Sequence, residues 1–163
     1  MGMIENKLAG LRIELPAVAA GANYVLAKKV GNLVYTAGQG PVEEWIPGKE
    51  GFPTAKLGYT GQVGTDLTEA EGYKAARLCA LNCLAAIKTV VKSLDEVEEL
   101  VNVHAYVNSS KDFTKQPAVA NGASDLLIEI FGDKGKHSRT AIGTWCLPLN
   151  IPVEVEMIVR VKL

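Results

Sequence analysis

Three positions in this chain could together hold and hydrolyse a small anion. Arg139 opens a strand after a glycine-rich turn. Its planar guanidinium can meet a carboxylate with two parallel hydrogen bonds, although a lone arginine at a strand edge is also commonly a surface charge. Glu154 stands in an alternating strand. There it can position or activate a water as a general base, or serve only a solvated face or an ion pair. Gly38, in the run Tyr35-Thr36-Ala37-Gly38-Gln39-Gly40-Pro41, lets a ligand come close to the backbone. The same run also reads as a strand ending in a turn.

Other reactive side chains point to blander roles. Cys79 and Cys83 lie one helical turn apart within an apolar stripe and read as core thiols. Together with His104 and His137 they offer no recognisable zinc spacing, so no metal is expected. His137 and Ser138 are neighbours and face opposite ways on a strand, which argues against a Ser–His nucleophile. His137 shares a face with Arg139 and can line the same cleft. No glycine-rich phosphate loop is present.

The elements that must position these residues follow from periodicity. Met3 to Leu11 reads as a short helical lead-in stopped before Pro16. Tyr24–Val30 and Leu33–Ala37 read as strands joined by a turn at Gly31-Asn32. Residues 42–59, rich in Gly and Pro, read as a long loop, and Trp45, Phe52 and Tyr59 suggest that it docks onto something. Thr68 and Glu71 form a capping-box pattern opening a helix that runs toward Ser93. Val97–Val107 alternates, with Val101, Val103, Ala105 and Val107 on one face and Asn102, His104 and Tyr106 on the other. A second helix spans Asp112–Phe131, a strand Arg139–Cys146, and a last strand Val153–Val161.

This order predicts an α+β fold with a mixed sheet and two long helices on one face. The other sheet face, carrying Asn102, His104, Tyr106, Glu154 and Glu156, has no layer to cover it, and self-association is the usual remedy. If the last two strands pair as a hairpin about Pro148–Ile151, Arg139 and Glu154 lie on the order of 20 Å apart. They could then share a site only between two subunits.

Bulk properties exclude several classes. The 163 residues fit one domain, 1–163. The net charge of −1, without a basic cluster, argues against nucleic acid. There is no 18-residue apolar run and no signal-like start, so neither a membrane span nor export is expected. Three cysteines without an export signal fit reduced thiols in the cytoplasm.

Three separated segments then resemble the RidA/YjgF family, also called endoribonuclease L-PSP: Ala22-Asn23-Tyr24-Val25 with Gly31 to Pro41, Ser138-Arg139-Thr140-Ala141-Ile142, and Leu147-Pro148 with Val153-Glu154-Val155-Glu156. The resemblance implies a chorismate-mutase-like homotrimer of the bacillus type, with a central barrel and clefts between subunits. It implies hydrolysis of reactive enamines and imines to 2-keto acids and ammonia, without a cofactor. By the same resemblance Arg139 binds the carboxylate and Glu154 positions water, while Tyr24, Gly38 and Asn121 line the cleft. Ala37, Thr140 and Ala141 are expected to bind substrate with them. Ala37 and Ala141 stand where the family often has Ser and Cys, and residues 1–20 and 42–59 are longer than in the enamine hydrolases. The alternatives are a metabolite-binding or chaperone-like trimer without turnover and, less favoured by the acidic balance, a ribonuclease.

Overall fold

The structure, a computed structural model, describes residues 2–46 and 54–163. In chain order its elements are α1 (Met3–Gly10), β1 (Ala27–Val30), β2 (Leu33–Thr36), β3 (Val42–Ile46), β4 (Thr54–Leu57), α2 (Glu69–Ile87), β5 (Val97–Asn108), α3 (Gln116–Phe131), β6 (Ser138–Thr144) and β7 (Val153–Val161). Five strands form one mixed sheet in the order β1-β2-β7-β5-β6, with β5 and β6 parallel and the other pairs antiparallel. The α+β architecture is as expected.

Local chemistry explains the boundaries. Gly31, at φ 62°, supplies the positive backbone angle that a glycine-first two-residue hairpin needs, and Val30 pairs with Leu33 across it. The Thr68 hydroxyl accepts the Glu71 N–H while the Glu71 carboxylate accepts the Thr68 N–H, a complete capping box. Helix α2 ends at Ile87, short of Ser93, because Thr89-Val90-Val91 is a β-branched run and Thr89 Oγ1 donates back to the Ala86 carbonyl at 2.7 Å. Helix α3 begins at Gln116 rather than Asp112. Pro117 suits a first turn, but it has no N–H for a helix begun one turn earlier.

The core lies between one sheet face and the two long helices. Val103, Ala105, Val107, Val153, Val155, Met157 and Val159 meet Ala76, Cys79, Ala80 and Cys83 of α2 and Ala120, Ala123 and Leu127 of α3. Register irregularities in β5 change its alternation: Leu100 is buried in place of the expected Val101, which is half-buried. Helix α1 docks through Ile4 and Leu8, with the Ile4 N–H donated to Asp95 Oδ1 at 3.0 Å.

The helices come unusually close at Gly122 of α3, where a Cβ would collide with the Tyr73 carbonyl of α2. Replacing Gly122 by Ala should therefore lower stability by about 1–3 kcal/mol, the usual cost of overpacking. Urea unfolding would read this as a lower midpoint with an unchanged slope; an unmoved midpoint would show the backbones have room.

Three expectations need correcting. The last two strands do not form a hairpin. β5 lies between them, because the chain crosses from β5 through α3 to β6, as a parallel pair requires. Residues 42–59 are not simply a loop: β3 and β4 form a two-stranded antiparallel ribbon, with Trp45 opposite Ala55 and a Glu43–Lys56 ion pair at 3.3 Å. Most of its glycines and prolines fall in residues 47–53, which include Phe52 and lie outside the described residues, and this hid the strand pattern beside them. The first strand starts at Ala27, leaving Tyr24 in the bends before it.

Candidate functional site

The alternation of β7 buries Val153 and Val155 beneath the helices and turns Glu154 and Glu156 to the open sheet face. The Gly38 loop is strapped beside them by two backbone bonds between Gln39 and Val155, at 2.8 and 3.0 Å. Gly38 thus packs directly on the Glu154 carboxylate, and a Cβ there would overlap it. Only glycine permits this approach. A cleft of about 190 Å³ opens here, lined by Tyr24, Gly38, Trp45, Leu149 and Glu154 among others. Its lining includes Leu149, which, like the adjacent Asn150, has a positive φ, 57° and 55°, uncommon outside glycine and often found at ligand sites.

Burial raises the pKa of Glu154 above the ordinary glutamate value, and the neighbouring Glu156 charge adds to this. Glu156 is itself held in place: Oε1 accepts the Tyr106 hydroxyl at 3.1 Å and lies 2.9 Å from His104 Nδ1.

A second cluster sits at β6, the edge strand. Arg139 points to the helix side. Its Nη1 donates to Asn121 Oδ1 and Ser124 Oγ, both at 2.9 Å, and Nη2 donates to the Pro117 carbonyl at 3.2 Å. These three acceptors are neutral. Nε–H and one Nη2–H have no partner among the described residues, although a guanidinium can donate five. The other strand arginine differs: Arg160 is spent on Glu98 and Glu99, each at 3.2 Å. His137 Nε2 lies 3.0 Å from Ser124 Oγ, and Nδ1 lies 2.6 Å from the Gly135 carbonyl.

The structure therefore divides the expected site residues into two groups. Tyr24, Gly38 and Glu154 share the cleft, with Ala37 beside it holding its N–H on the Leu26 carbonyl at 2.8 Å. Arg139 and Asn121 form the second group, with Ala141 on the same sheet face, packed against the core. Thr140 lies one residue on, alternating to the face of its partner His104, and is exposed. Arg139 pairs with Val103 and Val103 with Met157, three residues from Glu154. That places Arg139 and Glu154 about 14 Å apart, on opposite sheet faces.

Sequence reasoning passed over Ser124 and gave Trp45 no place at the site. Ser124 is a buried hydroxyl three residues after Asn121, and that spacing, one helical turn, was the available signal. Trp45 comes to the cleft from β3, its ring 3.6 Å from where a Gly21 Cβ would be. The cysteines are core thiols: Cys79 and Cys83 donate to the Val153 and Val155 carbonyls at 3.3 and 3.2 Å, and burial keeps both pKa values high. Among the described residues no cluster of His, Cys, Asp or Glu could hold a metal ion, and no helix is long and apolar enough to cross a membrane. A larger hollow of about 830 Å³ between α1 and α2 includes no residue of either group.

Comparison with known proteins places the whole chain in one family. The family model described as "YjgF/chorismate mutase-like, putative endoribonuclease" matches residues 5–160. Protein TCP17 of Trypanosoma cruzi is 40% identical over 165 residues, covering 99% of this chain and 96% of TCP17. Atu1372 of Agrobacterium tumefaciens, a protein described as of unknown function, has a solved structure that superposes with a TM-score of 0.85 at 36% identity, covering 99% of this chain and 94% of that one. A solved structure from Shewanella oneidensis, named as a putative endoribonuclease, gives a TM-score of 0.86 at 34% identity, covering 98% and 100%. The chain belongs to the RidA/YjgF family.

Proposed function

We propose that this chain is a hydrolytic deaminase of small enamine and imine carboxylates, working in clefts between three identical subunits. Water adds to the imine carbon, the C–N bond breaks, and a 2-keto acid and ammonia leave. Arg139 fixes the substrate carboxylate through its unused Nε–H and Nη2–H edge. Glu154 of a neighbouring subunit positions the water and accepts its proton. Tyr24 and the Gly38 backbone close the cleft, and no cofactor or metal takes part. The observation that carries the reading is the half-buried Arg139 guanidinium, held by three neutral acceptors and left with two N–H donors, on Nε and Nη2, that have no partner among the described residues. The opposite-face placement of Arg139 and Glu154 supports a site completed by a second copy, and the polar sheet face is what a central barrel would enclose.

The test is release of ammonia and keto acid from 2-aminoacrylate generated in place by a dehydratase. Acceleration by the protein supports hydrolysis; its absence overturns it and leaves a binding role, which Ala37 and Ala141 would suit. The rate should also fall with acid. Glu154 must be ionised to take a proton, and its pKa is raised, so the acidic limb of kcat against pH should have its midpoint above the ordinary glutamate value. A midpoint at or below that value would show that another group governs the limb. A nuclease reading has little support from a net charge of −1.

A further inference from the structure

We propose that His137 is a positioning residue that sets the pH range over which Arg139 grips its anion, acting through Ser124. The inference rests on the reading of Arg139 as a carboxylate anchor. The Gly135 carbonyl can only accept, so the proton of a neutral His137 ring sits on Nδ1, 2.6 Å from it. Nε2 is then an acceptor, and the Ser124 hydroxyl donates to it at 3.0 Å. The Ser124 oxygen in turn accepts the Arg139 Nη1–H at 2.9 Å. Donation therefore runs one way, from Arg139 to Ser124 to His137 to Gly135. Ser124 is buried, so its hydroxyl has little access to water as an alternative.

Protonation disturbs this chain. Nε2 becomes a donor, so imidazolium and guanidinium both point hydrogens at one serine oxygen, and the hydroxyl proton loses its acceptor. A second positive charge also arises beside the first. Without an anion both effects oppose protonation, and burial together with the Arg139 charge already holds the His137 pKa below its ordinary value. An anion on the free edge of Arg139 offsets the second charge. Proton and anion should therefore bind with positive coupling, and the coupling must be reciprocal.

The surroundings isolate the pair. Arg139 is the charged group acting on the imidazole among the described residues. On the turn before β6, Lys136 and Asp133 are exposed and pair with each other at 2.8 Å, and Lys134 is exposed. Helix α3 presents Ser124 to the ring, while its acidic Asp125 and Glu129 are engaged by Tyr73 and Arg77 of α2. From β5, Asn102 meets Ser138 rather than the ring.

The experiment is pyruvate binding to the full-length protein between about pH 8 and about pH 5, the range in which histidine titrates, followed alongside the histidine ring signals by NMR. The chain has two histidines, so His137→Gln assigns the spectrum. Because Glu154 also titrates, the quantity read is the difference between wild type and His137→Gln. Wild type should gain at least about fivefold more affinity on acidification, the lower end of ordinary two-site coupling. Equal gains overturn the proposal. A second measurement needs no ligand: Arg139→Gln removes the neighbouring charge and should raise the His137 midpoint. An unmoved midpoint overturns the relay. If pyruvate binds at no pH while that midpoint does move, the carboxylate reading fails and the relay stands.

Discussion

Replacing Arg139 by alanine should abolish measurable binding of pyruvate and related 2-keto acids while leaving the protein folded. Arg139 lies at the edge strand of the sheet, and its three bonds go to neutral groups that a water can serve after truncation. A hydrogen bond to a charged group contributes about 1.5–3 kcal/mol, so even one lost bond weakens binding roughly 10- to 150-fold. Lysine at this position should recover only part of the affinity, since an ammonium keeps the charge but not the planar fork. Titration calorimetry of wild type, Arg139→Ala and Arg139→Lys reads both effects. Undiminished affinity in the alanine variant would remove Arg139 from the site.

Replacing Glu154 by glutamine should separate binding from turnover. The amide matches the carboxylate in shape and still fits against Gly38, whose missing side chain leaves the room. It cannot take a proton from water. Ammonia release should fall about 10²- to 10⁴-fold, the usual contribution of a general base, while keto-acid affinity stays near wild type. Turnover at the wild-type rate would assign the base elsewhere. Loss of affinity together with rate would mean that Glu154 shapes the cleft rather than activating water.

What could be read from the sequence was what is encoded locally. Thr68 and Glu71 contact each other across one helical turn, so the start of α2 follows from two residues. The alternation of Val153 to Val161 gives β7 its faces without knowledge of its neighbours. The long helices and the open polar face followed in the same way. What could not be read was set over distance. Only eight residues separate β6 from β7, which suggests a hairpin, yet the strand–helix–strand order of β5, α3 and β6 demands a parallel crossover that puts β5 between them. The sheet therefore separates Arg139 and Glu154 by face as well as by distance, and periodicity within either strand alone could not show that. Ser124 was missed for a related reason. A serine in an apolar helix looks unremarkable until Arg139 and His137 arrive from β6 and the turn before it.

The position of β7 has a consequence for how the chain acquires its structure. Among the described strands it is the last to be synthesised, and it joins β2 on one side to β5 on the other. Until it emerges from the ribosome, the β1–β2 hairpin and the β5–β6 pair have no sheet in common, and each carries an unpaired edge. Every contact that unites them spans a large part of the sequence, which makes for slow closure and a vulnerable interval. The nascent chain should thus depend on protection of those two edges until Val153–Val161 inserts, and a chain lacking that segment should aggregate rather than fold in part.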